Sequence, residues 1–584
     1  MKLIIKLWLI FNVLLMHAQM PKSRITDWRH AGKVNSINNH LILNFDSLGG
    51  STKMGFLNDT IFNKAMSLLI ANGGGTIQFG AGQYAFRNTL KLSDSITLKG
   101  VGTNTILAFN LNGALKNCIE IRGQMAPRKY NFLGGNSGTN QLAFGTKNIP
   151  ETNTIFQIIQ NDSDLVFSSW ALGSIGQIFK TVKRDTSSGI ITSLTPLRLN
   201  IKKGNETFAS VIHPIQNVSI ECLKIIREDS TINQTHNIYF NYAFNCMVKG
   251  VESENCNFGH VVFENSIHNS VLQSYFHHAF AYGGNGQGYG VVFESTSSDN
   301  LVENSIFNHL RHSILLQSGA NGNVIAYNYS FDPYWSDNAL KDAAGDLVCH
   351  GNYAHHNLFE GNICQNIIVD NSHGKNGPFN TFLRNRAALY GFIVSNNQDS
   401  QNFISNEVTN TNLLMGQFIL TGNGHLNRNN NVKNKLQSNT NITIGDTSFY
   451  LSSKPGFLPQ QCSWPILGSP QPYNSGQNSA IIRYSESAVK TSCESILYAS
   501  NIETDNIKQG ILNCYPNPFD SKLFISVSVP STVKLFDLYG SLLMEIKIND
   551  FIELETANLP KGFYFIINEK SMVSKLVKVS STDN

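Results

Sequence analysis

The chain is short of charge. Only 14% of its 584 residues are Asp, Glu, Lys or Arg, against about 25% in an ordinary globular protein. The 44 basic and 40 acidic side chains leave a formal net charge of +4. No strong basic excess exists to displace counterions from a nucleic acid. Proline is scarce too, and 16 prolines beside 46 glycines exclude a collagen-like repeat. The nine cysteines contain no C-x-x-C pair, which argues against zinc ribbons and thioredoxin-type motifs. No apolar run reaches the roughly 20 residues of a membrane-spanning helix. A hydrophobic content of 41% still excludes global disorder. The abundance of Asn, Ser, Thr and Gly points instead to a β-rich, extracellular protein.

Residues 1–18 read as a secretory signal: Lys2 and Lys6, an apolar stretch from Leu7 to Met16, and the small Ala18 before the cut. An exported protein can oxidise its thiols. Cys349/Cys364 and Cys462/Cys493 are candidate pairs, and Cys222, Cys246 and Cys256 read as small buried hydrophobes.

The middle of the chain repeats. Asn precedes short apolar strands at 245, 269, 300, 323, 357, 380 and 402, with spacings of 24, 31, 23, 34, 23 and 22. A second Asn series follows at 304, 328, 362, 385 and 406. A period near 22–24 with three short strands per turn is what a parallel β-helix requires. The Asn side chains are expected to bond up and down the coil, so most are structural. The two long spacings are expected to carry loops, where function concentrates. Residues 125–213 break the period and read as a β-rich insertion, with two strands around a Ser-Ser-Gly turn within 176–201.

Before the repeat, the strand-like Leu41–Phe45 leads to an amphipathic helix from Asp59, the expected N-cap, with apolar residues at 61, 65, 68 and 69. GGGTIQF, GQYAF, a TLKL strand and ITLKGVG follow. This order resembles the opening of pectate-lyase-superfamily right-handed parallel β-helices, in which the helix caps the open end of the coil. Beyond 512 a different unit carries Pro516-Asn517-Pro518-Phe519, Asp537-Leu538-Tyr539-Gly540, Leu559 to Tyr564 and Lys575 to Lys578. It resembles the C-terminal sorting domain of type IX secretion cargo, a small β-sandwich. The expected fold is therefore all-β: a right-handed parallel β-helix over 41–470 with a capping helix and the insertion, a linker over 471–511 and a sandwich over 512–584. The resemblance implies export through the periplasm and outer membrane by the type IX machinery, with the protein released or held on the surface. A monomer is expected, with a polysaccharide as substrate and no nucleic-acid partner.

Polar and aromatic residues crowd 275–375. His278 and His309 lie ten residues past equivalent positions and are expected to stack on neighbouring rungs. Phe258, Tyr289, His312 and Tyr390 fall in one column, either a sugar groove wall or an internal aromatic ladder. The pectate-lyase resemblance implies β-elimination on a uronate, which needs a cation against the carboxylate, a base and an acid. Candidate roles are Arg311 as neutraliser, His312 or His278 as base, and Lys341 or Tyr334 as proton donor. His309, Trp335, Asp337, Tyr289 and His350 are candidate sugar-binding residues. Calcium is a candidate cation, but no Asp/Glu spacing specifies a metal. A glycoside hydrolase would need two carboxyl groups, and Asp332, Asp337, Asp342 and Asp346 are available. The chain lacks both the Asp motifs of polygalacturonases and the Trp-x-Asp-His and Arg-x-Pro-x-x-Arg patterns of well-known pectate lyases. A non-catalytic glycan-binding or adhesin β-helix is the third reading.

Overall fold

The computed structural model describes residues 20–32, 41–145, 148–166, 168–202, 207–438, 447–494, 512–515, 519–527, 530–537, 541–549, 551–568 and 573–579. The signal segment 1–18 and the linker residues 495–511 lie outside them. The chain divides into two units, 1–499 and 500–584.

The first unit is a right-handed parallel β-helix. Each rung contributes a strand to each of three parallel faces. One rung runs Ser270–Leu272 on the first face, Tyr275–His277 on the second and Tyr289–Glu294 on the third. The next rung repeats this with Leu301–Glu303, Ile306–Asn308 and His312–Leu316. Alternation sends Val271, Phe276, Val291 and Phe293 into the core. Phe240, Phe263 and Phe293 stack there at 4.6 and 5.2 Å.

Two corners are locked by amides. Where the third face turns into the first, Asn269, Asn300, Asn323, Asn357, Asn380 and Gln401 each donate to or accept from the neighbour at 2.9–3.0 Å. Where the first turns into the second, Asn328, Asn362, Asn385, Asn406 and Asn430 do the same. The ends of the expected series shift by one residue. Gln401 replaces Asn402, whose amide donates outward to Thr381. Asn245 bonds Asn217, and Asn304 is a left-handed turn residue bound by Arg483. A one-residue shift changes the face a side chain occupies.

The helix α1 (Asp59–Ala71) lids the first rungs, burying Phe62, Ala65, Met66 and Leu69. The stripe is thus displaced from that expected, and Leu68 is exposed. Asn58 occupies the cap position, while the Asp59 carboxylate accepts from the backbone N–H of Arg87 and Asn88.

Three segments pack on the outside of the coil. Residues 20–32 and 447–467 lie over the first face, and 479–486 reaches the second: Trp28 Nε1 donates to His356 O at 2.7 Å, and Tyr450 Oη donates to Glu303 at 2.5 Å. Residues 471–494 are a strap and not a linker. Their helix α2 (Ser479–Glu486) sets Tyr484 against Phe331, with ring centroids at 4.3 Å. Cys493 is disulfide-bonded to Cys222, which replaces both expected pairs; Cys349 and Cys364 are buried thiols on the coil strands. The insertion is a six-stranded antiparallel sheet with its own core around Phe132, Phe156 and Phe179. It sits on the third-to-first corner through the buried Arg198–Asp299 ion pair.

The second unit has an antiparallel three-stranded and an antiparallel four-stranded sheet around Phe519, Leu523, Ile525, Leu535 and Ile566.

The ladder generates a stability prediction. Asn323 accepts from Asn300 and donates to Ser297 O and Asn357. Each partner left alone in the interior costs about 1–3 kcal/mol. Asn323→Ala is therefore expected to destabilise the coil by about 3 kcal/mol or more, read as a lowered urea midpoint.

Candidate functional site

With the first face and the insertion corner covered, the second-to-third corner and the third face carry the exposed chemistry. Loops 228–235, 278–288 and 332–346 leave this corner. Asn255, His278, His309 and Asp332 begin the turn in successive rungs, each with φ between 51° and 60°. Asn, Asp and His tolerate that left-handed backbone better than most side chains.

The shared turn makes these residues a column, here termed the ledge. The His278 and His309 rings lie 5.2 Å apart. His309 stacks on Tyr334 at 4.8 Å, and its Nδ1 is 2.7 Å from Asp332. Tyr282 meets both His309 and Tyr334 edge-on. His278 is exposed, and burial together with His277 and His309 still lowers its pKa.

A second group forms a buried wall. Tyr289 packs on Phe258 at 5.1 Å and on His312 at 5.0 Å, and His312 continues to His350 at 5.6 Å. Tyr390 is not in this row; its hydroxyl donates to Asp342. Arg311 lies over Trp335 and donates to Gly283 O and the Tyr289 hydroxyl. His312 donates from Nδ1 to Gly345 O at 2.8 Å, and burial, then Arg311 and His350, drop its pKa to about 3. It is neutral. Its Nε2, Arg311 Nε, Trp335 Nε1 and Gln317 Oε1 are all buried without a hydrogen-bond partner. Burial pushes the Tyr289 hydroxyl up to about 12.

Two candidates clasp loops. Asp337 accepts from Gly284 N at 2.6 Å, and Lys341 donates to Ser336 O within its own loop. The ten candidates are thus spread over ledge, wall and clasps. Of the four candidate aspartates, Asp346 is buried and accepts from Ser330, Gln365 and Asn366, so it is closed to a substrate.

The third face holds residues that the sequence reading passed over. Glu264 and Glu294 are paired across adjacent strands, both half-buried. Tyr239 Oη donates to Glu264 at 2.7 Å, and Arg122 lies over the Tyr239 ring. Gln317 donates to Glu294. Burial, and Glu264 beside it, push Glu294 up to about 7. Burial also raises Glu264, opposed by Tyr239 and Arg122. On the same edge, His350 Nδ1 is 2.7 Å from Asp370 and, against the effect of burial, holds that carboxyl below its usual range. The signal is present as VVFEN (261–265), VVFES (291–295), ILLQS (314–318) and IIVDN (367–371): each strand ends on a polar residue or is followed by one.

Among the described residues, Glu252, Glu254 and His277 are the one group of three donors close enough to share a metal. Lys224 Nζ lies 2.7 and 2.6 Å from the two carboxylates. The group already suits an ammonium, and its two carboxylates would need water to complete the six to eight oxygens that calcium takes.

No curated protein sequence matches the chain. Among solved structures, it is similar to the tailspike protein gp49 of Pseudomonas phage LKA1, with 14% identity over 63% of this chain and 64% of that one, TM-score 0.49. It is also similar to the A-module of the Azotobacter vinelandii mannuronan C-5 epimerase AlgE4, with 11% identity over 63% and 77%, TM-score 0.37. A third is the tailspike of E. coli bacteriophage HK620 in complex with a pentasaccharide, with 12% identity over 62% and 57%, TM-score 0.38. Among the described residues no helix is long and apolar enough to cross a membrane. Residues 513–579 match the family "Secretion system C-terminal sorting domain", which indicates type IX export to the cell surface or the extracellular space.

Proposed function

We propose that the protein cleaves an extracellular polysaccharide on its third face, with Glu294 as general acid and Glu264 as the ionised partner. The observation that carries this reading is the adjacent-rung carboxyl pair, in which burial and the neighbouring carboxyl push one member up to about 7. Glycoside hydrolysis needs two carboxyls in opposite protonation states. Burial beside Glu264 favours the protonated form of Glu294, which then protonates the leaving glycosidic oxygen. Burial raises Glu264 too, but the Tyr239 hydroxyl and Arg122 oppose that rise and make it the member of the pair better able to carry charge. Neighbouring strands lie about 4.8 Å apart, close to the roughly 5–5.5 Å carboxyl separation of the double-displacement route. The reading therefore includes a glycosyl ester on Glu264 and retention of anomeric configuration. The column Gln317, His350 and Asp370 extends the polar edge along the coil, as a long polymer requires.

A second reading is β-elimination on a uronate, the chemistry implied by the pectate-lyase resemblance. The ledge favours it: His309, oriented by Asp332, is a base beside the Tyr334 ring. Arg311 is a poor neutraliser, because its guanidinium is engaged by Gly283 and Tyr289 and stacked over Trp335.

A screen against alginate, pectate, ulvan, glycosaminoglycans and neutral polysaccharides separates the two. Hydrolysis gives new reducing ends without the ultraviolet absorbance of an unsaturated uronate; elimination gives both. Glu294→Gln is expected to lower kcat about a thousandfold, within the range of general-acid losses, while Tyr334→Phe leaves it near wild type. Full activity in Glu294→Gln would reject the assignment.

The pH dependence follows in sign. Glu294 must be protonated, so activity is expected to fall as pH rises through about 7. The folded protein holds this proton above the ordinary carboxyl value of 4.5. Its contribution to stability is complete below 4.5 and lost as pH rises through 7. Glu294→Gln is expected to flatten that part of the stability–pH curve, measured by thermal melts.

A further inference from the structure

Beside the wall lies a hollow that the carboxyl pair does not use. Loop 228–235 of one rung and loop 278–288 two rungs on enclose a cleft of about 720 Å3. No Asp, Glu, Lys, Arg or His lines it. Five side-chain amides do, those of Asn233, Gln234, Asn257, Asn285 and Gln287, together with the exposed faces of Ile232 and Phe280.

The lining is built rather than incidental. Asn257 ties the floor by accepting from Thr231 N at 3.0 Å and donating to Thr235 Oγ1 at 3.1 Å. Gly286, at φ +68°, leaves room for Gln234: a Cβ there would lie 2.3 Å from Gln234 Nε2. The same Cβ would lie 3.3 Å from the Phe258 ring, which packs on Tyr289. Gly286 thus lies between the cleft and the Phe258 ring at the start of the wall. The neighbouring carboxylate, Asp229, is withdrawn onto Arg227 and the N–H groups of Leu111 and Gly113. The far loop is pinned by Asp337 and Arg311 through Gly284 and Gly283.

Amides offer a donor and an acceptor on one side chain, which matches sugar hydroxyls and acetamido groups. An aromatic ring packs against the apolar face of a pyranose. A uronate carboxylate would lose its hydration here with no cation to replace it. We propose that this cleft is a subsite for an uncharged sugar residue, so that the substrate is a polysaccharide containing neutral hexose or N-acetylhexosamine units and not a pure polyuronate. The proposal rests on the polysaccharide-cleaving reading above and adds the class of sugar.

The test uses the full chain carrying Glu294→Gln, so that no probe is consumed. Saturation-transfer NMR and titration are run with cellotetraose, mannotetraose, galactotetraose, N-acetylchitotetraose and tetragalacturonate. At least one neutral probe is expected to bind, with affinity reduced tenfold or more by Phe280→Ala and by Asn285→Ala at unchanged melting temperature. Tetragalacturonate is expected not to displace it. The proposal is overturned if no neutral probe binds, if the two variants bind it as well as their parent, or if tetragalacturonate competes. Cleft-independent cleavage of a polyuronate by the wild-type protein would defeat the subsite alone. Cleft-dependent binding with no cleavage of any polymer would defeat the hydrolase reading alone.

Discussion

Every rung of a coil must bury backbone N–H and C=O groups at its corners, and an unpaired group there costs more than an ordinary hydrogen bond returns. The asparagine ladders meet that constraint. Each amide bonds to a backbone carbonyl of its own surroundings and to the amide of the next rung, so neighbouring rungs cannot slip. Register is what turns sequence spacing into columns. It is why His278, His309 and Asp332 align, and why Glu264 faces Glu294 although 30 residues separate them.

Burial alone does not distinguish a site in this molecule. Glu360 is also pushed up to about 7 by burial, yet it lies under the first-face cover and accepts from the Phe449 N–H. Glu303 accepts from Tyr450 under the same cover. Those carboxyls satisfy packing across the first face. Glu294 differs in what lies outside it: a half-open face and a second carboxyl with separate support from Tyr239 and Arg122. Perturbed protonation becomes informative when joined to geometry of this kind.

Much of the architecture could be read from spacing. The Asn series marks the rungs because amide stacking is local and repeats with the coil. It fails by one residue at its ends, where the Gln401 amide and the Ser305 hydroxyl take over as acceptors for the preceding rung and no single residue type marks the change. The pairing of Cys222 with Cys493 was illegible, since 271 residues separate them and only the course of the strap brings them together. The ledge was legible through the shared position of His278 and His309. The carboxyl pair is illegible for a physical reason: Glu264 and Glu294 end strands, and a polar strand terminus has the pattern of an ordinary solvent-facing position.

The locked corners also explain where variation falls. Amide ladders occupy the third-to-first and first-to-second corners, and once they have begun those turns keep a constant form. The second-to-third corner has in its interior a mixed set, Asn237, His260, Ser313, Asp346 and Asn366, that demands no repeating residue. Its connections range from a long loop at 332–346 to none, where Ile363–Val369 runs through both faces as one strand. Length can change there without breaking a ladder bond. The neutral cleft, the ledge and the clasping loops all arise at this corner, and the strands beginning at it carry Glu264 and Glu294 at their far ends. A coil held rigid at two corners thus confines its chemical diversity to the flank beside the third, where a chain-like ligand running along the axis would meet one rung after another.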